Sequence, residues 1–227
     1  MNKQNYSKEL DKRIEEFQKK GVRPRLLLHA CCAPCSSYCL EFLREYFEVT
    51  VFFFNPNITE EAEYRKRVEE EKRLIEAYNR QVDEQDFEGM NSDGKAAKIG
   101  IIEGDYNPSD FYKAAAGLED CPEGGDRCRK CFELRLRETS KVASREGFDF
   151  FTTTLTISPL KNADVLNEVG QEVAEDVEFL PSDFKKKNGY KRSIELSKKF
   201  DLYRQDFCGC SFSKAQRERE KSAMANN

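Results

Sequence analysis

RLLLHACCAPC, residues 25–35, sets a short apolar run directly before two adjacent cysteines and an Ala-Pro step. Arg25 to Ala30, bounded by Pro24, has the length and composition of a buried strand. Ala33-Pro34 then opens a helix, because a proline in the first turn gives up no hydrogen bond that the helix would have made. The alternation continues downstream. Val49 to Ile58 is a second strand, rich in β-branched and aromatic residues and ended by Asn-Pro-Asn. A charged helix follows over 59–82, with Tyr64, Val68, Ile75 and Tyr78 on one face. Ile99 to Gly104 is a third strand; one helix runs from Asn107 to near Gly117, and another carries Cys128 and Cys131 toward Glu146. Phe148 to Ile157 reads as a fourth strand and Ser158-Pro159 as the cap of the next helix. Val177 to Pro181 is a short fifth strand before one or two C-terminal helices.

Strands alternating with helices of about ten residues define βαβ units and a parallel sheet covered on both faces. The expected fold is therefore α/β, a single parallel-sheet domain over 25–213. A helical extension over 1–24 precedes it and a basic tail, helical or disordered, follows over 214–227. Ligands of such sheets bind outside the carboxyl ends of the strands. That places Cys31-Cys32, Asn55 to Asn57 and Thr152 to Ser158 around one crevice.

Residues 1–24 alternate in charge without an apolar core, which fits neither a secretory signal nor an anchor. No window approaches the roughly eighteen apolar residues of a spanning helix. A cytoplasmic protein with no membrane association is expected, in a reducing compartment where clustered cysteines are metal ligands or catalytic thiols. Nine cysteines, an odd number, share the chain with one histidine and no tryptophan. Net charge is only −4, yet Lys185 to Lys221 hold 12 Lys and Arg against 5 Asp and Glu. Such a segment on an acidic body points to a local phosphate-binding surface, although a solvated lysine-rich face has the same composition.

Six cysteines fall into three tight groups: Cys31 with Cys32, Cys128 with Cys131, and Cys208 with Cys210. At a strand-to-helix turn both Cys31 and Cys32 can face the crevice, where helix N–H groups stabilise thiolate charge. Cys32 to Cys35, taken alone, is a C-x2-C resembling a thioredoxin-type redox pair. Cys128 and Cys131 supply half of a four-thiolate site. Cys31 and Cys32 are the natural other half, suited to a [4Fe-4S] cluster or to tetrahedral zinc. Cys208-Gly209-Cys210 closes a strained ring if oxidised, which suits thiol exchange better than cross-linking. Cys39 and Cys121 read as structural. His29 is either a proton donor or a satisfied core histidine. Thr153, Thr154 and Ser158 offer hydroxyls at a strand end, where phosphate or ribose oxygens bind. No G-x-G-x-x-G, G-x4-G-K-[ST] or S-G-G-x-D-S loop is present. A metal-dependent redox protein is the reading that results.

HACCAPC (29–35), FFFNPNITEEAEYRKR (52–67), EGGDRCRKCFELRL (123–136), FTTTLTISPLKN (151–162) and the stretch from Leu180 to Ser213 together resemble the epoxyqueuosine reductase QueH family. The resemblance runs from about Arg25 to Ser213. It implies an adenine-nucleotide alpha-hydrolase-like (HUP) α/β sheet. It also implies reduction of epoxyqueuosine to queuosine at the wobble position of tRNAs with GUN anticodons, the last step of queuosine synthesis, without cobalamin. Carried over, Cys31, Cys32, Cys128 and Cys131 match the family's iron-sulfur ligands, and Cys208 with Cys210 its redox-active pair. The family varies at the position of Cys35, where some members carry Asp. Cys35 and His29 are thus candidates for ligands of an additional mononuclear iron or for the proton donor. The hypothesis that follows has iron engaging the epoxide while the C-x-C dithiol relays electrons and protons, supplied by an unknown electron donor. The tRNA anticodon loop would meet Lys185, Lys186, Lys187, Lys191 and Arg192, with Tyr190 or Phe184 to stack on bases. Asn55, Asn57, Thr153, Thr154 and Ser158 would line the substrate pocket. Two rivals remain: a zinc-stabilised RNA-binding protein, and a tRNA-thiolating enzyme of related fold.

Overall fold

The computed structural model describes residues 4–92 and 94–225; positions 1–3 of the expected extension, Asp93 and the last two residues of the expected tail lie outside them. β1 (Arg25–Ala30) occupies the centre of a five-stranded sheet in which every pairing is parallel. Its neighbours are β2 (Glu48–Phe53) and β4 (Phe150–Thr153), with β3 (Gly100–Glu103) and β5 (Glu178–Phe179) at the edges. The order β3-β2-β1-β4-β5 reverses direction between β1 and β4, and such a reversal opens a crevice at the carboxyl ends of those two strands.

Side-chain alternation on β1 divides the core. Leu26, Leu28 and Ala30 face a cluster completed by α1 (Tyr6–Lys20), α2 (Ala33–Leu43) and α3 (Glu61–Glu84). Leu27 faces a second cluster under α5 (Asp126–Arg145) and α6 (Ala163–Glu172). α1 buries Leu10, Ile14 and Phe17, spaced to fall on one helical face, and Phe17 meets Phe47 edge-on at 5.8 Å. α4 (Pro108–Ala115), α7 (Gly189–Lys199) and α8 (Ser211–Ala225) complete the described helices.

Three segments depart from the expected boundaries because of specific hydrogen bonds. Strand two ends at Phe53 rather than Ile58, because Asn55 Nδ2 donates to the Ala30 carbonyl at 2.7 Å and turns the chain over the end of β1. β4 ends at Thr153, whose Oγ1 accepts from Leu155 N at 3.1 Å and starts one 3-10 turn over Thr154–Ile157. Ser158-Pro159 does not cap the following helix. Lys161 N instead closes a turn onto Ser158 O at 3.2 Å, and Asn162 caps α6 by accepting from Asp164 N. Among the described residues no helix is long and apolar enough to cross a membrane.

α3 sinks a carboxylic acid into this core: Glu71 is fully buried and neither of its oxygens has a hydrogen-bond partner. Burial pushes its carboxyl up from 4.5 to about 8. Between those values the unfolded chain has released a proton that the folded chain keeps, so folding stability falls as pH rises, by up to about 1.4 kcal/mol per unit. Glu71→Gln should remove that slope and leave the variant more stable than the wild type at pH 8 in urea unfolding. A variant less stable at pH 8 contradicts this.

Candidate metal centre

Three thiols meet where β1 passes into α2. Cys31 follows the strand, Cys32 is the extended N-cap of α2 and Cys35 lies one turn inside it, with its N–H on Cys32 O at 3.1 Å. The three sulfurs lie within 4.8 Å of one another, and those of Cys31 and Cys32 are 3.8 Å apart. Metal–sulfur bonds of about 2.3 Å at tetrahedral angles separate ligand sulfurs by roughly that distance. Hydrogen bonds from the Cys32 and Cys35 thiols hold Cys31 well below the ordinary thiol range, whereas Cys32 is pushed up to about 12 by its bond to Cys31. One thiolate thus forms readily, and further deprotonation needs a cation.

The other two pairs converge nearby. On α5, Cys128, Cys131 and Arg135 recur at helical spacing on one face. Gly124 N donates to Cys128 Sγ at 3.2 Å. Cys128 packs with the cluster that contains Cys31 and Cys32, while Cys131 packs with Cys210 and Phe111. Gly209 between Cys208 and Cys210 takes φ +123°, and a Cβ there would fall 2.8 Å from Ile58, so this turn requires glycine. Arg67 ties the turn down by donating to Cys208 O at 3.1 Å. All nine cysteines are free thiols. Cys128 and Cys131 are not within the 4.8 Å trio; the structure forms a group of three and, beside it, four more thiols.

Arg135 bears on the charge these sulfurs carry. Its side chain is fully buried, reaches Cys131 Sγ at 3.7 Å and His29 Nε2 at 3.3 Å, and leaves Nη2 without a partner. It pairs with no carboxylate among the described residues. Burial lowers its pKa, and the sulfurs of Cys131, Cys31 and Cys208 more than reverse that. A buried guanidinium among neutral thiols costs several kcal/mol, whereas thiolates held by a metal balance it. The donor set and the buried positive charge both fit an anionic thiolate–metal group. His29 Nδ1 lies 2.9 Å from Thr153 Oγ1, and its Nε2, 3.2 Å from Phe54 O, either donates to that carbonyl or accepts from Arg135 according to the tautomer; burial, then Arg135, lowers its pKa to about 3. It is a neutral member of this network.

Two cavities flank the thiols. The first, about 270 Å³, is lined by Cys31, Cys32, Cys35, Ser158, Tyr190 and Cys208 among others. The second, about 120 Å³, lies against Cys128, Cys131, Cys208, Cys210 and Asn57. Asn55, Thr153 and Thr154 are fully buried and line neither. Of the predicted contacts in the basic segment, Lys186, Lys187 and Lys191 are exposed. Lys185 bonds Thr156 O and Asp183, Lys187 pairs with Asp11 at 2.6 Å, and Arg192 forks onto buried Glu41 at 2.6 and 2.9 Å. Phe184 is core, and Tyr190 stands 38% exposed at the cavity rim.

Sequence reasoning missed Arg135 and Lys161, the latter lining both cavities. Arg135 was detectable as a basic residue four positions after Cys131 on the same helical face. Lys161 carried no local signal.

An α/β protein whose switch-point crevice gathers soft sulfur donors from three distant segments carries the donor set of a thiolate metal site. Comparison with known proteins narrows this. The family described as epoxyqueuosine reductase QueH matches residues 26–216. Proteins named epoxyqueuosine reductase QueH from Staphylococcus epidermidis, Staphylococcus aureus and Streptococcus pyogenes are 43%, 41% and 40% identical. These alignments cover 92%, 93% and 92% of this chain and 84%, 85% and 78% of theirs. The chain belongs to the QueH family.

Arg135→Met separates the two consequences of a buried cation. Iron affinity should fall about 10–100-fold, while the metal-free protein should become more stable by about 1–4 kcal/mol, since an unpaired buried charge is gone. Iron titration and urea unfolding of the metal-free form measure both. A destabilised metal-free variant with unchanged iron affinity contradicts the assignment.

Proposed function

We propose that this protein reduces the epoxide of epoxyqueuosine to the alkene of queuosine, at the wobble position of tRNAs with GUN anticodons, in the cytoplasm. The observation that carries the reading is Arg135, a fully buried guanidinium with no carboxylate partner among the described residues and with the Cys131 sulfur 3.7 Å away. We assign Cys31, Cys32, Cys128 and Cys131 to a [4Fe-4S] cluster. Cys35, the third thiol of the trio and not among those four, is the candidate ligand for an additional mononuclear iron. Iron bound there supplies single electrons and a Lewis acid.

Epoxide removal consumes two electrons and two protons and releases water. The Cys208–Cys210 dithiol matches that demand, because oxidation to a disulfide yields two of each. Cys208 lines both cavities, and Cys210 lies buried with its thiol pushed up to about 12 by burial, so it holds its proton until it reacts. Ser213 keeps the pair in place, accepting from Cys208 N at 3.0 Å and donating its own N–H to Cys210 Sγ at 3.3 Å. A partner reductant then restores the dithiol.

Splayed anticodon-loop bases are recognised by stacking and by phosphate contacts. Tyr190 at the rim, beside exposed Lys186 and Lys191, suits this role. Lys185, Lys187 and Arg192 would have to release the partners they already hold. Arg192 in particular ties α7 to α2 through Glu41.

Cys208→Ser and Cys210→Ser should each abolish multiple turnover on epoxyqueuosine-containing tRNA while leaving thiolate-to-iron absorption intact. Full turnover in either variant rejects the dithiol relay.

A further inference from the structure

Beside a Lewis-acidic iron, loss of an epoxide oxygen is assisted by a hydrogen-bond donor at the place where that oxygen departs, and the two cavities contain few candidates. Lys161 lies in the turn between the 3-10 segment and α6, beyond the carboxyl end of β4. It shares with Cys208 a position on the walls of both cavities, the junction between them. Other cations there are engaged: Arg127 donates to Glu119 O at 2.7 Å and to Cys121 O, Arg204 donates to Ser197 Oγ at 3.0 Å, and Arg217 pairs with Glu220 at 2.6 Å. Arg135 and His29 line neither cavity. Lys161 forms no ion pair among the described residues, not even with Glu123, the carboxylate that reaches both cavities. The sulfurs that act on its ammonium are Cys208, from the dithiol, and Cys31 and Cys35, from the trio.

We infer that Lys161 is the cation that receives the epoxide oxygen, donating a hydrogen bond to it as the first C–O bond breaks. The inference deepens the reductase reading and rests on it. In the balanced reaction both C–O bonds of the epoxide break and one carbon–carbon π bond forms. The oxygen leaves as water with two protons. The two electrons and two protons come from Cys208 and Cys210, which become joined by an S–S bond. Negative charge appears on oxygen after the first cleavage, before the second proton arrives. A donor preorganised at that point stabilises the charge more than reorganising bulk water does. Lys161 also belongs to the loop that the Ser158 turn holds against the sheet end, so its placement is fixed by backbone rather than by tRNA contacts.

The test compares wild type, Lys161→Met and Lys161→Arg, each loaded anaerobically with iron and sulfide. Single-turnover conversion of epoxyqueuosine-containing tRNA, iron content and tRNA affinity are measured together. Lys161→Met should slow conversion by on the order of 10²–10³-fold, the loss typical of one removed oxyanion donor. Iron content and tRNA affinity should stay within twofold, and Lys161→Arg, which keeps the charge, should recover at least tenfold over the methionine variant. Conversion by Lys161→Met within threefold of an active wild type overturns the inference, and so does loss of iron from that variant, which would assign the ammonium to holding the metal. A wild type that loads iron and binds tRNA yet leaves the epoxide intact sinks the reductase reading itself, and Lys161's role with it.

Discussion

Charge balance around one guanidinium governs the site. Arg135 is withdrawn entirely from water, yet its neighbours are sulfurs and a neutral imidazole rather than carboxylates. Such a group is tolerable only if the sulfurs are anionic, and thiols become durably anionic in a protein interior when a metal holds them. Lys161 adds a second positive charge to the same field. Arg135 is thus buried in advance of an anion, and a metal bound by these thiolates would spend part of its binding free energy relieving that charge.

Topology delivers the sulfurs to Arg135. Because the sheet reverses between β1 and β4, the end of β1 opens into a crevice instead of being covered by its own crossover helix. α5 reaches this crevice with its N-terminal turn, so Cys128 and Cys131 arrive at the helix end where backbone N–H groups are free, as the Gly124 contact illustrates. The Cys208–Cys210 turn comes in last along the chain. It is held by Arg67 from α3 and by the Thr59 N–H on Gly209 O. Each thiol pair is thus positioned by a different element, which keeps the dithiol and the trio adjacent without merging them.

Much of this was legible in the residues. RLLLHA is a strand over its full expected length, because a run of leucines bounded by proline has no amphipathic alternative. The pairing of strand ends with cysteines and hydroxyls followed from the alternation of elements. Illegible were features set by long-range hydrogen bonds. Asn55 reads as a pocket residue; its Nδ2 donates to the Ala30 carbonyl, while its Oδ1 has no partner among the described residues. Thr153 reads as a ligand contact, but it caps the 3-10 turn and bonds His29. Arg192 reads as a phosphate contact, but buried Glu41, 151 positions away in sequence, holds it. Ser158-Pro159 looks like a helix cap, and only the fold shows that the helix waits for Asn162. Local pattern identifies where polar groups cluster; which of them are already satisfied depends on partners far along the chain.

The account turns on iron held by thiolates at the end of the sheet. Anaerobic purification with quantitation of iron, acid-labile sulfide and zinc, read beside the absorption spectrum, tests this directly. Brown protein with about four or more irons per chain, sulfide to match, and broad thiolate-to-iron absorption is the predicted result. Colourless protein carrying stoichiometric zinc and no sulfide would contradict it.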